Sequence, residues 1–154
     1  MPLHLDGMEK PGTKKPIWHG PLTLEGINAW GRVNMIDHLD ITFTEIGDDY
    51  LKATMPVDHR TTQPLGLLHG GASVVLAETL GSTAATLCVD VEKQYCVGIE
   101  INANHLRTVR QGAVTGTARP VHIGRRTQVW QIHIHDDRDR LVALSRLTLA
   151  VLDR

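Results

Sequence analysis

The sequence has 154 residues, of which 42% are hydrophobic and 21% are charged, and these values are typical of a single globular domain with a sizeable core. A formal net charge of −1 gives no overall attraction to nucleic acid or to an anionic membrane, so we expect neither as a partner. No stretch approaches the roughly 20 apolar residues of a membrane span, and the N-terminus lacks the apolar centre of a signal peptide, so we expect a cytoplasmic protein.

The first part of the chain is polar. Residues 1–16 are rich in proline, glycine and lysine, and we expect a flexible extension ahead of one domain at residues 17–154. Thr23 is a suitable N-cap for a short helix that reaches Trp30, because its hydroxyl can accept an N–H of the first helical turn.

Two strands are expected next, at residues 39–43 and 51–57. Apolar and polar side chains alternate in the second, and the Gly-Asp-Asp between them is a turn signal. Pro56 suits the end of a strand because proline has no N–H to donate to a neighbouring strand.

A long apolar segment, residues 72–87, dominates the middle of the chain and follows Gly70 and Gly71. It contains no proline and a single charge, Glu78, so we expect a helix that is buried on nearly all sides. Charged groups are seldom buried without a partner or a purpose, and Ser82 lies one turn further on the same face. Glu78 is therefore the strongest functional candidate, although a structural pair with an arginine would also explain it.

Hydrophobicity alternates with a period of two after this helix, which predicts four more strands. They are expected at residues 97–104, 113–122, 128–135 and 141–152. Short connections favour antiparallel pairing in a meander, and one helix can cover only one face of the sheet. We therefore predict an α+β hotdog fold, an antiparallel sheet wrapped around one long helix, whose exposed edges favour self-association.

The cysteine and histidine patterns do not indicate a metal site. Cys88 and Cys96 form no CxxC motif and lie in apolar surroundings, so we expect free thiols. His133, His135 and Asp136 are neighbours near a strand end, but they lack the further ligand that a metal centre needs.

One motif points to a family. Within residues 47–82 the chain carries D-x-R-x-x-Q-P-x-G-x-L-H-G-G-A-S-x-x-L-A-E, with His59 between the acid and the arginine. This segment, with VGIEINANH and VWQI further on, resembles the hotdog acyl-CoA thioesterases. The resemblance covers residues 17–152 and is strongest to the PaaI-like, aryl-CoA branch, which includes 1,4-dihydroxy-2-naphthoyl-CoA and 4-hydroxybenzoyl-CoA thioesterases. Like that branch, the chain places its glutamate in mid-helix.

The resemblance implies a homodimer, and further a homotetramer as a dimer of dimers, with active sites between subunits. Glu78 of one chain would face Gln63, His69 and the Gly70 amide of its neighbour. Because the substrate brings its own coenzyme A, no further cofactor is expected.

Thioester hydrolysis needs an activated water or nucleophile and a stabilised oxyanion. Glu78 could attack the carbonyl carbon or act as a general base on water, and the sequence leaves both routes open. Gly70 and Gly71 would offer unpaired N–H groups at the positive end of the helix, unless they form a plain helix-start turn. Ser82 could hold the attacking water, or could simply bond back to the carbonyl of Glu78.

Other assignments rest on the resemblance or on charge. His69 would orient the thioester or the leaving thiolate, and Gln63 would bind the carbonyl or the water. Basic side chains should meet the phosphates of coenzyme A, unless they are only solvated turn residues. The candidates are His105, Arg107, Arg125 and Arg126.

These features together predict a thioesterase that hydrolyses an aryl-CoA to the free acid and CoA. A broad-range enzyme for fatty or phenylacetyl thioesters, a non-catalytic acyl-CoA-binding module and a hotdog hydratase are the alternatives. A hydratase would need an acid and a histidine on one loop, a pair that is not evident in this chain.

Overall fold

The computed structural model describes residues 15–30 and 33–154. Most of the expected N-terminal extension, residues 1–14, lies outside the described part. The helices are α1 (Leu24–Ala29), α2 (Met35–His38) and α3 (Gly70–Leu87). The strands are β1 (Thr42–Ile46), β2 (Leu51–Pro56), β3 (Gln94–His105), β4 (Ala113–Ile123), β5 (Thr127–Asp136) and β6 (Leu141–Asp153).

One antiparallel sheet of six strands, in the order β1-β2-β4-β5-β6-β3, forms the body of the protein. The four strands expected after the long helix are all present, so the α+β fold is confirmed. The simple meander is wrong for β3, which pairs with β6 along its whole length instead of with β4. β4 occupies the position beside β2, so β3, which follows the helix, pairs with the free edge of β6 instead. Gln94 at the start of β3 lies opposite Asp153 at the end of β6.

The two short N-terminal helices each begin at a residue whose side chain caps the helix. Thr23 Oγ1 accepts the Gly26 N–H at 3.0 Å, as predicted for the start of α1. The strand expected at residues 39–43 begins later, because Asn34 caps an unpredicted helix, α2, which ends at His38 and has Leu39 as its C-cap. β2 ends at Pro56 as expected.

The segment before α1 is tied to the core by a tryptophan. The ring of Trp18 stacks on that of Trp130, with centroids 6.4 Å apart and planes 9° from parallel. Its indole N–H donates to the Gly47 carbonyl at 2.7 Å. Trp130 itself is fully buried in β5 and donates to Gln128 Oε1 at 2.9 Å.

The core lies between α3 and the sheet. Leu76 and Leu80 are fully buried against strand side chains, and burying each contributes about 2 kcal/mol. Gly116 allows the close approach, because a Cβ there would lie 2.4 Å from Leu80 Cδ1. Burial is complete on this face only, and Glu78 and Ser82 are half-buried, so the expectation of a helix buried all round was too strong.

The long edge strand β3 is unprotected in the single chain. Tyr95, Val97 and Ile99 expose between 39% and 63% of their surface along it. The register with β6 also shifts between Gly98 and Glu100, a β-bulge that leaves Ile99 without an opposite residue. A long apolar edge of this kind favours pairing with a second chain.

Both cysteines are free and half-buried, as predicted. Burial, with a smaller effect of Cys96, raises the pKa of the Cys88 thiol to about 12, so Cys88 is a packing residue and not a reactive thiolate. Across the described residues, no helix combines the length and the apolar character that crossing a membrane requires.

Candidate active site

The start of α3 presents two hydrogen-bond donors. His69 is the N-cap, and its Nδ1 accepts the Gly71 N–H at 2.8 Å. An accepting Nδ1 leaves the proton of the neutral ring on Nε2, so the exposed side of the imidazole is a donor. Within the described residues, no group accepts the Gly70 N–H. The two donors lie together at the positive end of the helix.

The loop before the helix is fixed by backbone hydrogen bonds. Thr61 is buried, and its hydroxyl donates to the Pro56 carbonyl at 2.8 Å. The His69 N–H donates to the Thr61 carbonyl at 2.8 Å, and the Leu68 N–H donates to that of Val109 at 2.7 Å. The loop is therefore an ordered arm that delivers residues 63–69 to the helix start.

Gln63 is oriented within this loop. Its Oε1 accepts the Leu65 N–H, and the Gly66 N–H donates to the Gln63 carbonyl at 2.8 Å. Gly66 has a φ of 72°, a left-handed conformation that favours glycine. With its oxygen occupied, Gln63 has its amide NH2 available to a ligand.

An ion pair stabilises the start of the same loop. Arg60 Nη2 lies 2.6 Å from Asp58 Oδ2, and Arg60 Nη1 donates to the His38 carbonyl at the end of α2. Hydrogen bonds from the Arg60 side chain and backbone lower the pKa of Asp58 to about 2. His59, which separates the pair in sequence, is exposed and leaves it intact.

A cavity of about 340 Å³ opens at the helix start. Its polar lining comprises Gln63, Gly70, Ser73, His105, Arg107 and Thr108. A Cβ built on Gly70 would lie 2.8 Å from His105 Nε2. His105, expected at the phosphate end of the ligand, therefore lies against the helix start, and Arg107 is the second basic residue in the lining.

Arg125 and Arg126 lie elsewhere in the single chain. They occupy the β4–β5 hairpin, where Arg126 pairs with Asp153 at 2.9 Å. The start of β5 packs against the C-terminal end of α3, because the Gln128 side chain donates to the Ala85 carbonyl. The structure brings two of the four predicted basic residues to the cavity and leaves these two at the opposite end of the helix.

Glu78 is also remote from the cavity of its own chain. It lies eight positions after Gly70, a rise of about 12 Å along the helix, and does not line that cavity. Burial raises the pKa of its carboxyl, partly opposed by a hydrogen bond from Ser82 Oγ to Oε1 at 3.4 Å. Among the described residues none forms an ion pair with Glu78, so none of the described arginines supplies the structural pair.

Gly98 is a site residue that the sequence analysis missed. A Cβ there would lie 2.5 Å from Glu78 Oε1, so the carboxylate occupies the space above this glycine on the edge strand. The available signal was a lone glycine inside a strand pattern, which marks a bulge or a close approach.

The single chain thus holds two separate half-sites. Gln63 and Gly70 line the cavity at the helix start, and His69 is the N-cap of the same helix. The carboxylate of Glu78, with Ser82 beside it, lies at the β3 edge. Donors of this kind can bind a carbonyl oxygen, and a carboxylate can activate water or attack a carbonyl carbon.

Comparison with known sequences agrees with this chemistry. Residues 65–143 match the Thioesterase superfamily. The chain is 60% identical to the 1,4-dihydroxy-2-naphthoyl-CoA hydrolase of Escherichia coli, over 88% of this chain and 99% of that protein. It is 52% identical to the proofreading thioesterase EntH of Cronobacter sakazakii, over 88% and 98% of the two chains.

Solved structures show the same architecture. A variant of the thioesterase PA1618 from Pseudomonas aeruginosa superposes with a TM-score of 0.88 at 51% identity, covering 90% of this chain and 99% of that one. The thioesterase HI1161 from Haemophilus influenzae gives a TM-score of 0.86 at 50% identity, covering 89% and 95%.

Proposed function

The chain belongs to the thioesterase superfamily, and from this premise we propose an enzyme that hydrolyses an aryl-CoA to the free acid and CoA. Hydrolysis of an acyl-CoA thioester follows from the family and from the relatives named as a CoA hydrolase and a thioesterase at 60% and 52% identity. The aryl group is inferred from the E. coli relative, which acts on a dihydroxynaphthoyl thioester. The observation that carries the proposal is a half-buried carboxylate without a cationic partner among the described residues, on a helix whose N-terminus presents free donors.

The donors would act on the carbonyl. In the proposed mechanism the thioester oxygen lies at the Gly70 N–H, where the helix end stabilises the negative charge of the tetrahedral intermediate. The Nε2–H of His69 and the amide of Gln63 complete the set of donors around the thioester. His105, held against Gly70, limits where the acyl group can lie.

Glu78 would supply the second half of the reaction. It either attacks the carbonyl carbon, giving an anhydride that water then hydrolyses, or removes a proton from water as the water attacks. In both routes the thiolate of CoA leaves, and the carboxylate has to be ionised at the start. Ser82 donates to Oε1 and so fixes the direction of the reacting oxygen.

The site would be completed by a second copy. The rise of about 12 Å between Gly70 and Glu78 is too large for both to contact one thioester carbon within a chain. The exposed apolar edge at β3 offers the surface for a homodimer, and Glu78 lies at that edge. Two such dimers would form the homotetramer implied by the family resemblance.

The rest of the substrate would be held by basic groups. Arg107 lines the cavity and is placed for a phosphate of CoA, and the partner's β4–β5 hairpin would bring Arg125 and Arg126. The reaction is a non-redox hydrolysis that needs no added cofactor. We place the enzyme in the cytoplasm, where its free thiols remain reduced.

Thiol release from a panel of CoA esters tests the substrate class. Benzoyl and naphthoyl esters should be hydrolysed at least about 10-fold faster in kcat/KM than C8 and C16 acyl esters, because a site adapted to an aromatic acyl group would bind a long chain poorly. Equal rates on the long-chain esters would favour the broad-range alternative. Tight binding without thiol release would favour the binding module.

Paired variants test the shared site. Gln63→Ala and Glu78→Ala homodimers should each be inactive, whereas a heterodimer purified through two different tags should regain about half the wild-type activity, because one of its two sites is intact. The matched control is a heterodimer of a wild-type chain and a chain that carries both Gln63→Ala and Glu78→Ala. This heterodimer should be inactive if sites are shared, and about half active if each site lies within one chain.

A further inference from the structure

Gly98 lies directly beneath the carboxylate of Glu78. A Cβ added to it would be 2.5 Å from Oε1 and 3.6 Å from the carboxyl carbon, and real side chains do not tolerate the shorter contact. The third neighbour, Leu147 Cδ1, lies at an ordinary 3.7 Å. The only atom that would clash is therefore the carboxylate oxygen that also accepts from Ser82.

The backbone does not explain the glycine. Positive φ angles occur among the described glycines at Gly20, Gly66 and Gly112, and Gly98 is not one of them. Any residue could adopt its conformation, and glycine weakens a strand interior because it costs more entropy and packs nothing. The β-bulge that follows at Ile99 would also accept another residue type. Close approach of the carboxylate is the remaining physical reason.

Other glycines in the sheet and helix face different neighbours. At Gly116 and Gly81 the clashing atoms would belong to the leucine side chains of Leu80 and Leu147. These two are packing glycines, which set the distance between helix and sheet. Gly98 differs because the atom it accommodates is ionisable.

We propose that Gly98 is a positioning residue for Glu78. Its missing side chain forms a slot on the β3 edge that holds the Glu78 carboxylate, with Ser82 on the helix side and Gly98 on the strand side. The slot directs the carboxylate across the sheet edge, where a second copy would present its donors. This role rests on the proposed thioesterase mechanism, since it acts only through Glu78.

The first test is the kinetics of Gly98→Ala with benzoyl-CoA. Displacing the carboxylate by about 1 Å should lower kcat on the order of 100-fold while KM changes less than about 3-fold. The matched control is Gly116→Ala, which introduces a similar clash against Leu80. It should lower the thermal unfolding temperature, because overpacking is destabilising, and keep kcat within about 2-fold at 15 °C. Equal kcat losses in both variants would overturn the proposal.

A double-mutant cycle with Glu78→Asp separates positioning from stability. Aspartate is one methylene shorter and leaves room for the alanine methyl. Each single variant should lose activity, and in the Gly98→Ala background the Glu78→Asp change should cost less than about 3-fold. Multiplicative losses would show that the two positions act independently and would refute the slot.

A readout without turnover keeps the proposal testable if the proposed function fails. The Glu78 carboxyl, labelled with ¹³C, is titrated by NMR in wild type, Gly98→Ala and Gly116→Ala. In Gly98→Ala its pKa should move toward the ordinary value, because the carboxylate leaves its half-buried slot, while Gly116→Ala leaves it unchanged. An unchanged Glu78 pKa in Gly98→Ala refutes the slot. Absent turnover in wild type refutes the thioesterase mechanism.

Discussion

Replacing Glu78 with glutamine should lower kcat by at least about 1,000-fold, because the side chain then can neither attack a carbonyl nor accept a proton from water. The fold and the affinity for CoA should persist, since glutamine has the same shape and Glu78 has no ion pair to lose among the described residues. Stopped-flow thiol release with benzoyl-CoA measures the rate. Glu92→Gln, an exposed carboxylate beyond the helix, is the control and should stay within about 2-fold.

The same variant should remove the pH dependence of stability that Glu78 causes. Burial raises the pKa of Glu78 above 4.5, so the native state favours the protonated acid. Stability therefore falls as pH rises through this raised pKa and remains lower above it. Glu78→Gln should unfold at a higher temperature than wild type at pH 7.5, and the difference should vanish well below pH 4.5. Wild-type kcat/KM should rise with pH through the same window, because the ionised form reacts.

A wild type that is as stable as the variant at pH 7.5 would show that the carboxylate is well solvated. A variant that hydrolyses benzoyl-CoA at the wild-type rate would remove Glu78 from the mechanism. The two outcomes are independent, because the first concerns burial and the second concerns chemistry.

Replacing Gly70 with alanine should lower kcat/KM on the order of 100-fold, the range seen when a single oxyanion donor is lost. The new methyl would lie 2.8 Å from His105 Nε2 and would block the approach of a thioester to the Gly70 N–H. Helix stability should change little, since Gly70 is the first residue of α3 and alanine is compatible with a helical conformation. The check is steady-state hydrolysis of benzoyl-CoA beside the thermal unfolding curve.

The double variant Gly70→Ala with His105→Ala separates two possible causes of the lower kcat/KM. One is displacement of the His105 imidazole, and the other is a blocked Gly70 N–H. If the displaced imidazole were the whole cause, the double variant would be no worse than His105→Ala alone. If the blocked amide dominates, as we expect, the double variant stays as slow as Gly70→Ala. Wild-type kinetics in Gly70→Ala would mean that the oxyanion is bound elsewhere.

Local patterns were enough to predict most elements. Alternation along β4, β5 and β6 needs only neighbouring residues, and the apolar run of α3 is marked by two glycines at its start. The four-residue helix α2 was missed because its signal is a single cap, Asn34, and the end of that helix displaced the expected strand. The pairing of β3 with β6 was missed because strand order depends on contacts far apart in sequence.

The sequence also predicted the residues of the candidate site better than their arrangement in space. The motif indicated Gln63, His69, Gly70 and Glu78 together, and their catalytic roles stay predictions. The sequence did not show that Gly98 makes room for the Glu78 carboxylate, because that contact joins a strand to a helix. Charge alone also grouped Arg125 with Arg107, although the hairpin of the first lies at the other end of the helix.

The stacked rings of Trp18 and Trp130 give the protein a built-in optical probe. Trp130 is fully buried, so its fluorescence emission should be blue-shifted in the fold and should move to longer wavelength when the sheet opens. The 6.4 Å separation couples the two indoles in near-ultraviolet circular dichroism, and that coupling is lost as soon as the N-terminal segment detaches. Trp30 is 55% exposed and would be quenched by iodide in either case. Detachment of the leading segment and opening of the sheet can therefore be followed separately without any added label.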